Sequence, residues 1–248
     1  IHSAAGNLAQ GSGLIRQPPL RSPHHTASMA AMIGGGSSTL RPGEVSLASG
    51  GVLFLDELGE FPAAHLDALR QPLESGIIRV SRAAISVELP ARFLLLAATN
   101  PCPCGQLGFG DCTCSEAQLG RYRRRLSGPL VDRFDLRLGV GPPDPVEVFD
   151  GPEGESSTEV ASRVAAARRM ATARGVTYNR ELRGGALHDA APLEPSAEAL
   201  LRDHLERGLL TMRGAERSRS VALTLADLRG EAPPLVRHLL EGALMLRG

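Results

Sequence analysis

Two short apolar runs, Val52-Leu53-Phe54-Leu55 and Phe93-Leu94-Leu95-Leu96-Ala97-Ala98, stand out from the mixed pattern of the first half of the chain. Each is continuous rather than alternating and too short for an ordinary helix, which predicts central parallel strands buried on both faces. Between them, residues 63–73 carry a helical spacing. Residues 76–89 then alternate, with Ile77, Ile85, Val87 and Leu89 apolar and Arg79, Ser81 and Arg82 polar. This alternation predicts a β-hairpin with its arginines near the tip. Residues 1–50 are rich in Gly, Ser and Pro and are broken by Gly34-Gly35-Gly36 and Arg41-Pro42-Gly43. Loops and short hairpins are expected there.

The second half changes character. Residues 142–155 lack either periodicity and are rich in Pro and Gly, which predicts a linker between a first domain, 1–141, and a second, 156–248. Ser156 and Glu159 have capping-box spacing, and Val160, Val164, Ala167 and Ala171 follow at helical intervals. Pro195-Ser196 opens another helix, and two more fit residues 215–228 and 234–246. The tail reads as a small all-helical domain. No internal repeat interrupts this plan, and no apolar run approaches the roughly 20 residues that span a bilayer.

Composition adds three points. The 27 positive and 27 negative residues balance to +0, so no global basic field points to nucleic acid, and any polyanion site must be local. Every one of the 27 basic residues is Arg, and the chain contains no Lys. The four cysteines fall between Cys102 and Cys114, a clustering that suggests metal ligation in a reducing compartment rather than a secreted disulfide framework. The N-terminal Ile1-His2-Ser3 has neither an initiator Met nor the features of a signal peptide. A cytoplasmic piece of a longer protein is the expectation.

The first apolar run ends in Asp56-Glu57, two carboxylates at what should be the carboxyl edge of a parallel sheet, where ligands of such sheets bind. Asp56 can hold Mg²⁺ and Glu57 can polarise an attacking water. Asn100 closes the second run and offers a neutral donor to a phosphate or to that water. Arg133, in Val131-Asp132-Arg133-Phe134-Asp135, sits at an element junction from which a guanidinium can reach a neighbouring subunit's nucleotide. Taken singly, each has a plainer reading: a solvated acidic turn, an Asn-Pro turn, and a surface ion pair of Arg133 with Asp132 or Asp135.

Together with Arg21-Ser22-Pro23-His24-His25-Thr26, Gly34-Gly35-Gly36-Ser37, Arg41-Pro42-Gly43-Glu44-Val45-Ser46-Leu47-Ala48, Leu69-Arg70-Gln71-Pro72-Leu73-Glu74, Asn100-Pro101-Cys102-Pro103-Cys104-Gly105 and Arg125-Leu126-Ser127-Gly128-Pro129-Leu130, these residues resemble the ComM/YifB group of magnesium-chelatase-like AAA+ ATPases. The resemblance implies an α/β AAA+ core of the P-loop type followed by an all-α lid domain. It implies that Asp56 and Glu57 are Walker B, Asn100 sensor 1, Arg133 the trans-acting arginine finger, and residues 77–89 the pre-sensor-1 hairpin. Arg213, in Thr211-Met212-Arg213-Gly214, takes the place of sensor 2. Ser220 and Leu223 stand where the family has further arginines, and Arg217 and Arg219 are the nearby substitutes.

The group's P-loop needs a Lys beside backbone amides that cradle the phosphates. A chain without Lys has none, so the resemblance implies an incomplete core whose first strand and P-loop lie upstream. The implied parent is an ATP- and Mg²⁺-dependent, homo-oligomeric, hexameric ring that acts on single-stranded or branched DNA during uptake and recombination. Its DNA contacts would come from Arg79 and Arg82 at the hairpin and from His24 and His25 in the other insertion. A magnesium chelatase motor subunit and a remnant without ATPase activity are the alternatives. The Cys-rich loop and the Pro-His-His segment favour the ComM-like side. Cys102, Cys104, Cys112 and Cys114 form two C-x-C pairs, a ligand set for structural Zn²⁺, with reduced buried thiols or a redox pair as the other readings.

Overall fold

The computed structural model describes residues 1–8, 11, 13–36, 40–82, 85–126, 130 and 133–246, with backbone alone at residues 81, 82, 85, 126 and 147. Ser37, Ser127, Gly128, Pro129, Val131 and Asp132, all named above, lie outside the described residues. The chain forms two compact units, Ile1–Phe134 and Asp135–Gly248. The units therefore meet a few residues before the boundary expected from composition.

The first unit runs β1 (Leu20–Arg21), α1 (Met29–Ile33), β2 (Gly34–Gly35), β3 (Arg41–Pro42), α2 (Glu44–Leu47), β4 (Val52–Leu55), a 3-10 turn (Leu58–Glu60), α3 (Ala63–Ala68), α4 (Arg70–Ser75), β5 (Ile77–Arg82), β6 (Ile85–Pro90), β7 (Leu94–Ala97) and α5 (Glu116–Leu126). β1, β4 and β7 form a parallel sheet in that order, with Val52 opposite Leu94 and Leu55 opposite Ala97. β5 and β6 form the expected antiparallel hairpin, and β2 with β3 a smaller one. The helical spacing at 63–73 resolves into two short helices. Pro72 has no N–H to give to the carbonyl of Ala68, which interrupts the ladder at Leu69, and Pro72 itself is accommodated in the first turn of α4.

The core of this unit is built from Met32, Val45, Leu53, Leu55, Phe61, Leu69, Ile78 and Phe93. β4 meets the expectation of burial only in part, and β7 departs from it. Leu53 and Leu55 are 0% exposed, but Leu94 and Leu96 are 52% and 47% exposed. Among the described residues β7 pairs with β4 alone, so one of its edges carries no neighbour. Its inward face, by contrast, is packed: Leu95 and Ala97 lie against the core.

The second unit contains α6 (Pro145–Asp150), α7 (Ser157–Ala173), α8 (Gly184–Ala190), α9 (Pro195–Glu206), α10 (Met212–Arg229) and α11 (Arg237–Met245). Its core joins Leu187, Leu201, Ala222, Leu223, Ala226, Leu235, Leu239 and Leu240. The segment read as a linker holds one helix, α6. Asp144 caps it by accepting from the Val146 N–H at 2.8 Å, and Pro145 stands at the first helical position, where its missing N–H is harmless. The capping box of α7 forms as expected: Ser156 Oγ accepts from Glu159 N, and the Glu159 carboxylate accepts from Ser156 N at 2.8 Å. Inside this unit Arg174 donates to both carboxylate oxygens of Asp227, which is 3% exposed, and Asn179 Nδ2 donates to Asp227 Oδ2 at 2.8 Å.

Candidate functional site

β4 and β7 run parallel and in register, so their carboxyl ends open at one edge of the sheet. Ala98 N–H donates to Leu55 O at 3.0 Å and Leu58 N–H to Ala98 O at 2.9 Å, which fastens the turn after β4 to the chain leaving β7. Asp56 and Glu57 occupy that turn, Thr99 and Asn100 follow β7, and all four are exposed. Glu57 has φ 51° and ψ 48° and is the one non-glycine residue with positive φ among the described residues. A side chain in the left-handed region costs roughly 1–2 kcal/mol. The Asp56 carboxylate accepts from the Glu57 N–H at 2.9 Å, an Asx-type contact that helps hold this conformation.

Tyr122 of α5 braces the same edge from below. Its hydroxyl donates to Asn100 O at 2.8 Å and lies 2.7 Å from Thr99 Oγ1, and its side chain is buried. The ring lies against Gly59: a Cβ at that position would come within 2.5 Å of it. Glycine is therefore required for the turn after Glu57 to approach α5. Arg125 Nη1 adds a bond to Gly59 O at 3.2 Å. In sequence the Arg121–Arg125 run reads as a solvated helix face or as the lining of a subunit interface near the nucleotide, and the structure shows Tyr122 within it turned inward. The signal was the lone tyrosine among arginines.

His24 and His25 stack with ring centroids 4.0 Å apart, and His25 Nδ1 lies 3.1 Å from Glu57 Oε2. His25 also meets Phe61 edge-on. Ligand atoms of His24, His25 and Glu57 all fall within 4.8 Å of one another. The two histidines that sequence analysis assigns to DNA thus adjoin the candidate catalytic carboxylate. Of the hairpin arginines, Arg79 lies mid-strand rather than at the tip and pairs with Glu88 across the ladder at 2.6 Å. Arg82 ends β5, opposite Ile85, and its side chain lies outside the described part.

The Arg133 side chain is 10% exposed and pairs with Glu74 at the end of α4. Asp135 instead pairs with Arg217 at 3.5 Å inside the second unit. Arg213 lies exposed in the first turn of α10, beside the Thr211 cap. Arg219, the other substitute, is partly buried, and desolvation holds its pKa below the usual guanidinium value.

The four cysteines converge. Cys102 Sγ lies 3.4 Å from Cys104 Sγ and 3.8 Å from Cys112 Sγ, Cys104 and Cys112 are 3.6 Å apart, and all four sulfurs lie within 4.8 Å of one another. None is in a disulfide. Gly105, at φ 79°, supplies the left-handed turn that folds the first pair back, with its N–H on Cys102 O at 3.0 Å. Backbone N–H groups of Gln106 and then Thr113 draw the Cys104 thiol down to about 6. Desolvation, reinforced by hydrogen bonds with the other sulfurs, pushes Cys114 up to about 12.

Comparison with known proteins agrees with this architecture. Residues 1–147 match the family model described as magnesium chelatase, subunit ChlI, and residues 154–247 the model of the ChlI C-terminal region. The chain is 43% identical over 227 residues to competence protein ComM of Haemophilus influenzae, covering 91% of this chain and 44% of that protein. It is 43% identical over 233 residues to the uncharacterized protein YifB of Escherichia coli, covering 94% of this chain and 46% of YifB. A shorter match, 29% identical over 109 residues, covers 41% of the chain and 10% of DNA replication licensing factor mcm6 of Schizosaccharomyces pombe. The chain spans about half the length of the curated relatives ComM and YifB. No helix among the described residues is long and apolar enough to cross a membrane. With both family models matched in order, and with a parallel sheet preceding a helical unit, this chain belongs to the magnesium chelatase ChlI family, beside ComM and YifB.

Proposed function

We propose that this chain carries the hydrolytic half of a nucleotide site in a cytoplasmic, homohexameric ring ATPase that moves DNA. The observation that carries the reading is the shared carboxyl edge of β4 and β7, which presents Asp56, Glu57 and Asn100 together and holds Glu57 in a strained conformation. Such strain concentrates at functional sites. Asp56, an exposed carboxylate at this edge, is the residue that would hold Mg²⁺ with ATP, and the metal neutralises charge on the phosphates. Glu57 orients water and takes its proton, and Asn100 is a neutral donor toward the phosphate. Arg133 acts on the nucleotide of an adjoining subunit, while Arg213 and Arg217 serve as the lid's phosphate contacts.

DNA as the polymer moved is supported by the similarity to ComM and to mcm6, a DNA replication licensing factor. Arg79, Arg82, His24 and His25 are the residues proposed to meet its backbone. We read residues 1–141 as the nucleotide-binding core, 142–155 as the connection and 156–248 as the lid. The full-length protein with Glu57→Gln tests the hydrolytic assignment. It is expected to bind ATP normally and to lose at least about a hundredfold in turnover. Undiminished turnover would overturn it. Stimulation of the wild type by branched DNA supports the DNA half of the reading, whereas stimulation only by chelatase partner subunits overturns that half.

A further inference from the structure

The sulfur cluster lies outside the proposed nucleotide chemistry, and its geometry carries an inference of its own. Four ligands at the Zn–S distance of about 2.3 Å around a tetrahedral ion stand about 3.8 Å from one another. The three separations among Cys102, Cys104 and Cys112, 3.4, 3.8 and 3.6 Å, lie at that edge or a few tenths of an ångström short of it, and Cys114 is within 4.8 Å of all three. These are too long for a disulfide, whose sulfurs stand about 2.05 Å apart. They are also unusually close for four independent thiols. Soft thiolates in a tetrahedron select zinc among common divalent ions, and four of them leave no open position for catalysis. A backbone N–H, that of Leu107, points at Cys102 Sγ from 3.4 Å, the kind of outer contact that stabilises a metal-bound thiolate.

We propose that Cys102, Cys104, Cys112 and Cys114 form a closed, structural Zn²⁺ site that staples the chain leaving β7 to the start of α5. The first pair follows Asn100 and Pro101 directly, and the second pair ends just before α5 begins at Glu116. Closing this loop with a metal fixes where α5 sets out. That direction in turn brings the Tyr122 hydroxyl onto Thr99 and Asn100 O and its ring onto Gly59. The metal site does not rest on the ATPase reading, because metal content is measured without any activity.

The test uses the full-length protein purified without added metal. Elemental analysis is expected to find about one zinc per chain, retained on dialysis against a chelator and released when an organomercurial titrates the thiols. Cobalt exchanged into the site is expected to show the sulfur-to-metal charge-transfer and visible bands of a tetrahedral thiolate centre. The double variant Cys104→Ser/Cys112→Ser should lose the zinc. If that variant fails to fold, the metal content and cobalt spectrum of the wild type still decide the matter. Zinc in fewer than about one chain in ten, a mapped disulfide within the cluster, or iron in its place would each overturn the proposal.

Discussion

Glu57 is the residue at which local and functional demands pull apart. Its left-handed backbone is unfavourable for any side chain with a Cβ, yet a carboxylate stands there, fixed by the Asp56 contact on one side and by His25 at 3.1 Å on the other. Besides the DNA contact proposed above, we expect His25 to act as a positioning residue for Glu57. In the full-length protein, His25→Ala should lower kcat for ATP by about tenfold with little change in nucleotide KM, and His25→Gln should recover part of the loss. A variant altered only in DNA affinity would overturn the positioning role and leave the DNA contact alone. The sequence makes Asp56, Glu57 and Asn100 legible because each closes an apolar run, a local signal. It cannot show the His25 contact, or the pairing of Arg133 with Glu74, because these join residues far apart in the chain and depend on how the loops fold back. The four cysteines lie between these cases: their spacing is visible, but only the turn at Gly105 shows that two C-x-C pairs face each other.

Among the elements, those with strong periodicity appear where the pattern puts them: β4, the β5–β6 hairpin, α7 with its capping box, α9 and α10. The short pieces are less legible. α1, α2 and α6 have one or two turns each, too few for a periodicity, and are defined by caps and tertiary packing instead. α10 is the hub of the second unit, and its stability has one polar centre. Asp227 is buried and takes two bonds from Arg174 and one from Asn179, so removing its charge leaves a partly buried guanidinium with Asn179 Oδ1 as its remaining partner. Asp227→Ala should destabilise the helical unit by about 3–5 kcal/mol. Replacing Arg174 and Asp227 together by Met and Leu should recover most of that loss. Denaturant unfolding followed by helical circular dichroism checks both, and a shift below about 1 kcal/mol in the single variant would show that the pair is solvated.

At the scale of the molecule, the two units correspond closely to the two family models, and each has a separate core. The composition places a break at 142–155 rather than at the unit boundary after Phe134, and the helix in that segment shows that Pro- and Gly-rich sequence need not be without structure. What the apolar pattern could not reveal is that β7, read as interior, presents Leu94 and Leu96 to solvent on one face and has one edge without a partner among the described residues. This edge has a practical consequence for anyone producing these 248 residues by themselves. An unguarded strand with protruding leucines is a template for cross-molecule pairing and a sticky patch for chaperones and hydrophobic dyes. We expect light scattering to rise with protein concentration and the double variant Leu94→Thr/Leu96→Thr to reduce it at unchanged helical content. A wild-type sample that stays monodisperse as it is concentrated would show that the edge is protected. Otherwise, the behaviour of the isolated chain in the tube will be governed by colloidal chemistry.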